Sequence, residues 1–231
     1  MYMLKITING QLLLCLLAER LMQVPTLSMV QINTDGLAIR VRRNQLDTVN
    51  DIARSWEEYT RLELETVEYS RMFVRDVNNY IAEYTNGDVK RKGAYEYERQ
   101  WHQNQSQLIV PKAAESALLD DIPVEDFIRT HTDSMDFMLR TKVPRSSRLV
   151  LEHDDGSERQ LQNITRYYVS KHGGSLIKIM PPLSNKPDVW RRIGICVGWK
   201  VVECNNIEDA VYPIDYDYYV SEARKLTECF S

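Results

Sequence analysis

MVQINTDGLAIRV, residues 29–41, sets two strand-like runs on either side of Asn33-Thr34-Asp35-Gly36. Asn, Asp and Gly tolerate positive φ and are the residues that short hairpin turns demand, so turn chemistry alone accounts for the tip. The elements around it decide the fold. Upstream, residues 9–23 (NGQLLLCLLAERLMQ) read as a buried helix with Asn9 as its cap, ended by Val24-Pro25. Thr26–Asn33 and Leu37–Arg43 form the hairpin. Downstream, Asn44–Leu64 predicts a second helix. It carries Leu46, Val49, Ile52, Ala53, Trp56 and Tyr59 on one face and acids on the other. From Glu65 the period changes to two, and LETVEYSRMFVRD, NNYIAEY and DVKRKGAYEYE predict three further strands, with Asn86-Gly87 turning between the last two. The first half is therefore expected to be an α+β layer, an antiparallel sheet with helices on one face.

Near Gln103 the strand pattern stops, and the remainder is expected to be mainly helical. Helices are predicted over Pro111–Leu119, Pro123–Thr132, Asp133–Arg140 and residues 160–172 (QLQNITRYYVSKH), the last broken by Gly173-Gly174. A loop then runs to Asp188. Two short strands, Ile193–Val197 and Lys200–Cys204, precede a closing helix over Tyr216–Phe230.

The longest apolar run, Leu12–Ala18, is far short of the ~20 residues that cross a bilayer, and nothing after it resembles a signal-peptide cleavage site. An intracellular protein without membrane association is expected, with Cys15, Cys196, Cys204 and Cys229 as reduced packing thiols. The net charge of -4 argues against a general polyanion binder, but charge is segregated along the chain. Residues 44–70 carry seven acids against two bases, as do residues 203–231. Arg140, Lys142, Arg145 and Arg148 fall in an acid-free stretch; Arg166, Lys171 and Lys178 occupy another, and Arg40, Arg42 and Arg43 follow the hairpin. Each cluster alone reads as a solvated face; together they fit a basic groove on an acidic body. No P-loop, GxGxxG, HExxH or GxSxG occurs, and His102, His131, His153 and His172 have no ligand spacing.

The order helix, strand-NTDG-strand, helix, three strands, then a helical region resembles the C-terminal part of a family B DNA polymerase of the bacteriophage type. ITINGQLLL matches that family's palm helix with its Thr-x-x-Gly signature, and QINTDGL occupies the place of its DTD hairpin. VNNYIAEY and RKGAYEYE match two later palm strands. HQNQSQLIVPKAA, DFMLRTKVPRSS and ITRYYVSKHGGSLIKIMPP are similar to thumb segments. The resemblance implies part of a palm domain over residues 1–105 and a thumb over 106–231. It implies template-directed nucleotidyl transfer, with Asp35 as a catalytic ligand for two Mg²⁺ ions roughly 4 Å apart. Mg²⁺ prefers hard oxygen ligands and retains waters, so few carboxylates suffice. The implied partners are primer-template DNA, deoxynucleoside triphosphates and an N-terminal polymerase fragment carrying the rest of the palm. If the chain is viral, its place is the host cytoplasm.

The match has departures. Asn33 stands where DTD has its first Asp, and Gly36 stands where Ser is common. VNNY lacks the family's basic pair and leaves Tyr80 as the only match to the primer-strand motif; Lys90, Arg91 and Lys92, with Gly93 after them, are expected to supply phosphate contacts one strand later instead. Arg140, Lys142, Arg145, Arg148, Arg166 and Lys171 would hold duplex phosphates in the thumb. Tyr167 and Tyr168 contact sugar or pack in the core. The family's first catalytic aspartate, its nucleotide-binding lysine helix and its exonuclease motifs are not found here. Asp47, Asp51, Glu57 and Glu58 read instead as a helix's solvent face, so the isolated chain is expected to be inactive. Two alternatives stay open: a non-catalytic DNA-binding module derived from a polymerase, and an interaction protein in which NTDG is only a turn.

Overall fold

The computed structural model describes residues 2–98, 106–182, 189–206 and 212–230. It is an α+β protein that divides into two compact units, Met1–Arg91 and Lys92–Ser231. The boundary expected near residue 105 lies outside the described residues.

In the first unit, α1 (Tyr2–Leu21) is followed by the hairpin β1 (Ser28–Ile32) and β2 (Leu37–Arg40), then α2 (Leu46–Thr60). Helix α1 starts seven residues before Asn9, so Asn9 is not a cap but an interior residue. Once a helix is nucleated, each further residue adds a backbone hydrogen bond, which outweighs the ~1 kcal/mol penalty of the adjacent Gly10. Leu17 and Leu21 of α1 enclose Trp56 of α2, and Leu27, Leu37 and Ile39 of the hairpin region pack against them. The Trp56 indole N–H, which could not be buried bare, donates to the Leu13 carbonyl at 2.8 Å.

Three further strands follow where the alternation predicts them: β3 (Tyr69–Asp76), β4 (Asn79–Tyr84) and β5 (Val89–Lys92). Gly87, with φ +90°, turns between β4 and β5. The single sheet expected for this half is two sheets, β1-β2 and β3-β4-β5, in the described structure. Alternation fixes which face of a strand is buried, not which edge it pairs through. A side chain links the two sheets, Gln31 Nε2 donating to the Val77 carbonyl at 3.0 Å.

The second unit is not mainly helical. Helices α3 (Ile109–Leu119), α4 (Val124–Thr130) and α5 (Tyr216–Thr227) form where expected, but a six-stranded sheet accompanies them: β6 (Leu139–Lys142), β7 (Arg148–Glu152), β8 (Glu158–Leu161), β9 (Ile164–Met180), β10 (Arg191–Ile195) and β11 (Val201–Glu203). The helix predicted over 133–140 is a 3₁₀ turn, Ser134–Phe137, leading into β6. The helix predicted over 160–172 is β8 and the first half of β9. Thr165, Tyr167 and Val169 are buried on one face of β9, and Tyr168 and Ser170 on the other. A strand covered on both faces loses the apolar-polar alternation that marks a strand in sequence, which is why this segment reads as a helix.

Gly173 and Gly174 lie inside β9 rather than breaking it. A Cβ on Gly173 would sit 2.0 Å from the Val201 carbonyl oxygen, and one on Gly174 would sit 2.6 Å from that of Glu152. Only glycine lets β11 and β7 approach so closely. Register shows that β9 is sharply bent. Lys142 of β6 lies opposite Ile164, and Arg148 of β7 lies opposite Ile179. A straight strand from 164 to 179 would span roughly 50 Å, whereas the six residues from 142 to 148 reach at most about 21 Å. The glycine pair stands at the bend.

Tyr219 of α5 ties this sheet to the helices: its hydroxyl accepts from the Val169 amide at 3.0 Å and donates to the Phe137 carbonyl at 2.7 Å. The buried Asp136 carboxylate is met by Lys112 and His131, each at 2.6 Å from the same oxygen, which joins α3 to the segment after α4. All four cysteines are free thiols. Among the described residues no helix is long and apolar enough to cross a membrane.

Candidate functional site

The hairpin tip is built by Asn33. Its side-chain carbonyl accepts from the amides of Asp35 at 3.1 Å and Gly36 at 2.8 Å, while the Asn33 amide donates to the Gly36 carbonyl at 3.0 Å. None of residues 33–36 has positive φ, so the tip is held by this side-chain turn and not by the left-handed conformations that its composition suggests. An Asp at position 33 could accept the same two bonds. A Cβ on Gly36 would meet Asn33 Oδ1 at an ordinary 3.7 Å, so a Ser would also fit. Both departures from the DTD pattern therefore leave the turn intact.

Asp35 is exposed, and its carboxylate has no hydrogen bond or ion pair among the described residues. It is one hard oxygen donor on a rigid tip, which fits Mg²⁺ bound by one or two carboxylates, waters and substrate phosphates. It does not make a complete site: among the described residues no group of three or more His, Cys, Asp or Glu converges. Thr34 is exposed beside it.

The three-stranded sheet brings Tyr80 and Lys90 together with two residues that sequence reasoning missed, Tyr69 and Tyr84. The rings of Tyr69 and Tyr84 lie 5.0 Å apart, and Lys90 Nζ is 3.4 Å from the Tyr69 hydroxyl. Partial burial opposes the charge on Lys90, but the Tyr69 hydroxyl and the neighbouring Tyr80 and Tyr84 outweigh it, so its pKa stands above the ordinary lysine value. The cross-strand pairing of Tyr69 with Tyr84 could be found only once register was known. Lys92 is exposed at the end of β5; Gly93, with φ +63°, opens a 3₁₀ turn where a side chain would strain the backbone.

In the second unit, Arg140 of β6 lies directly opposite Arg166 of β9, and Lys142 shares their face two residues along. Among the described residues none of the three meets a carboxylate. Like charges placed directly across a ladder destabilise a sheet, so the arrangement has a cost that folding alone does not explain. Residues 26 positions apart carry no sequence signal of this pairing beyond their shared charge.

The other predicted cations are placed differently. Lys171 is on the opposite face of β9 from Arg166 by parity and lies 3.7 Å from Asp217, which also holds Arg129 at 3.0 Å. It is not part of the Arg140–Arg166 group. Arg145 is exposed on the turn between β6 and β7. Arg148 packs its guanidinium over the Trp190 ring, 5.4 Å from the centroid. Tyr167 and Tyr168 are both core residues: burial pushes both phenols up, and Tyr168 packs edge-to-face on Tyr212.

No family model matches this chain, and no curated protein matches it.

Proposed function

We propose that the chain is the C-terminal palm-and-thumb part of a DNA-directed DNA polymerase, in which the second unit grips duplex DNA without reading its sequence. The observation that carries the nucleic-acid reading is the Arg140–Arg166 cross-strand pair with Lys142 beside it. A face of three cations that meets no carboxylate among the described residues is disfavoured in the free protein and relieved by a polyanion, and such contacts position a duplex by its phosphates. The thumb proposed here is a bent β-sheet with helices, as described above.

Asp35 supplies one carboxylate of a two-metal centre, and a companion N-terminal polymerase segment supplies the other. When bound, Mg²⁺ would polarise phosphate oxygens and stabilise developing charge. This chain's own contribution is to hold Asp35 at a tip fixed by Asn33, because phosphoryl transfer depends mainly on positioning and charge neutralisation. Tyr80, Lys90 and Lys92 contact the primer strand, and the isolated chain does not extend a primer. A second reading, a DNA-holding module without chemistry, is favoured by the finding that Asp35 belongs to no group of three or more His, Cys, Asp or Glu among the described residues.

The test is the affinity for a primer-template duplex across a salt series, comparing wild type with Arg140→Gln/Lys142→Gln/Arg166→Gln. Each lost phosphate contact should flatten the slope of log K against log salt by about 0.9, nearly 3 for the triple variant. An unchanged slope would remove these residues from the interface.

A further inference from the structure

Trp190 stands beside β10 with 49% of its surface exposed, an unusual position for an indole. Arg148 covers one side of its ring at 5.4 Å and is itself exposed at the start of β7. From this pair we infer a stacking site for an unpaired base: the open face of Trp190 receives the base, and Arg148 neutralises the adjoining phosphate. The ligand class is single-stranded nucleic acid, and the inference rests on the nucleic-acid reading above.

Three further observations favour this occupant over a protein partner. Arg148, Ile179 and Arg192 lie in one cross-strand row, which puts two guanidinium groups on the face that carries the Arg148–Trp190 stack. The carboxylates of that face, Glu152 and Glu158, are both engaged by Arg192, at 2.5 and 2.7 Å, and neither meets Arg148. The exposed Ile193 falls on the opposite face of β10 from Arg192 by parity, and the exposed apolar surface at Trp190 is that ring with its neighbour Val189, two side chains and not a patch of the size that marks a protein interface. Every base has a π-face, so such a ring binds single strands with little sequence preference, while a duplex keeps its bases stacked on each other. The site therefore separates single-stranded ligands from the duplex held at Arg140 and Arg166.

The experiment titrates the full chain with a short oligothymidylate and with a hairpin duplex of equal charge, using wild type, Trp190→Ala, Trp190→Phe and Arg140→Gln/Arg166→Gln. The site predicts that oligothymidylate quenches tryptophan emission in wild type and that this quenching disappears in Trp190→Phe. It also predicts about tenfold weaker oligothymidylate binding in Trp190→Ala, substantial retention in Trp190→Phe, and unchanged duplex binding in both. Unchanged oligothymidylate affinity in Trp190→Ala overturns the inference. If the Arg140/Arg166 variant then still loses duplex affinity, the phosphate grip stands without the stacking site. Failure of wild type to bind either nucleic acid overturns both. A change in sedimentation of the free protein on Trp190→Ala, with no effect on oligothymidylate binding, would make this face a contact between copies.

Discussion

Replacing Arg166 by Gln should make the free protein more stable while weakening its hold on DNA. Directly opposite residues on an antiparallel pair have Cβ atoms about 5 Å apart, so guanidinium groups that splay from Arg140 and Arg166 lie on the order of 6 Å apart. Two unit charges at that separation repel by about 0.7 kcal/mol in water and by about 3 kcal/mol at an effective dielectric of 20. Both side chains reach solvent, so the water figure governs, and it agrees with the few tenths to 1 kcal/mol measured for cross-strand pairs. Gln keeps much of the aliphatic stem and removes the charge. Urea unfolding at low ionic strength should therefore show Arg166→Gln more stable than wild type by about 0.5–1 kcal/mol. The gain should shrink at high salt, where the Debye length falls to ~3 Å. If Arg166→Gln is instead less stable at low salt, Arg166 has a structural partner and the argument that its charge is held for a ligand fails.

Gly173→Ala must push β11 away from β9 and should cost about 3 kcal/mol or prevent folding of the second unit, whereas Gly10→Ala, with open space around it, should stabilise by up to ~1 kcal/mol; urea denaturation compares the two. Asn33→Ala removes both acceptor contacts at the tip and should raise amide hydrogen exchange at residues 35 and 36, while Asn33→Asp should preserve protection. Burial pushes the phenols of Tyr167, Tyr218 and Tyr219 above the ordinary value. A group whose folded pKa is raised contributes stability that is fully present below the unfolded pKa, ~10 for tyrosine, and is lost as pH rises beyond it. Stability should therefore fall above about pH 10, and tyrosinate absorbance should show these residues titrating only on unfolding.

The first half of the chain was largely legible because its elements are local. The amphipathic face of α2, the NTDG tip and the Asn86-Gly87 turn each carry their own signal. The division of five strands between two sheets was not, since pairing partners are a tertiary choice. In the second half the reading failed at β9. Burial on both faces erased its alternation, and Gly173-Gly174, ordinarily a break, mark a bend where other backbones come close. Asp35 could be singled out by its place in a motif. The Arg140–Arg166 face and the Arg148–Trp190 stack could not, because register and a bent strand create them from distant residues.

The most direct test of the polymerase reading is primer extension with Mg²⁺, using this chain mixed with a separately expressed upstream palm-and-exonuclease fragment, for wild type and Asp35→Ala. The account predicts extension that requires both chains and disappears in Asp35→Ala. Association of the fragments on primed DNA without extension, or extension that survives in Asp35→Ala, would contradict it.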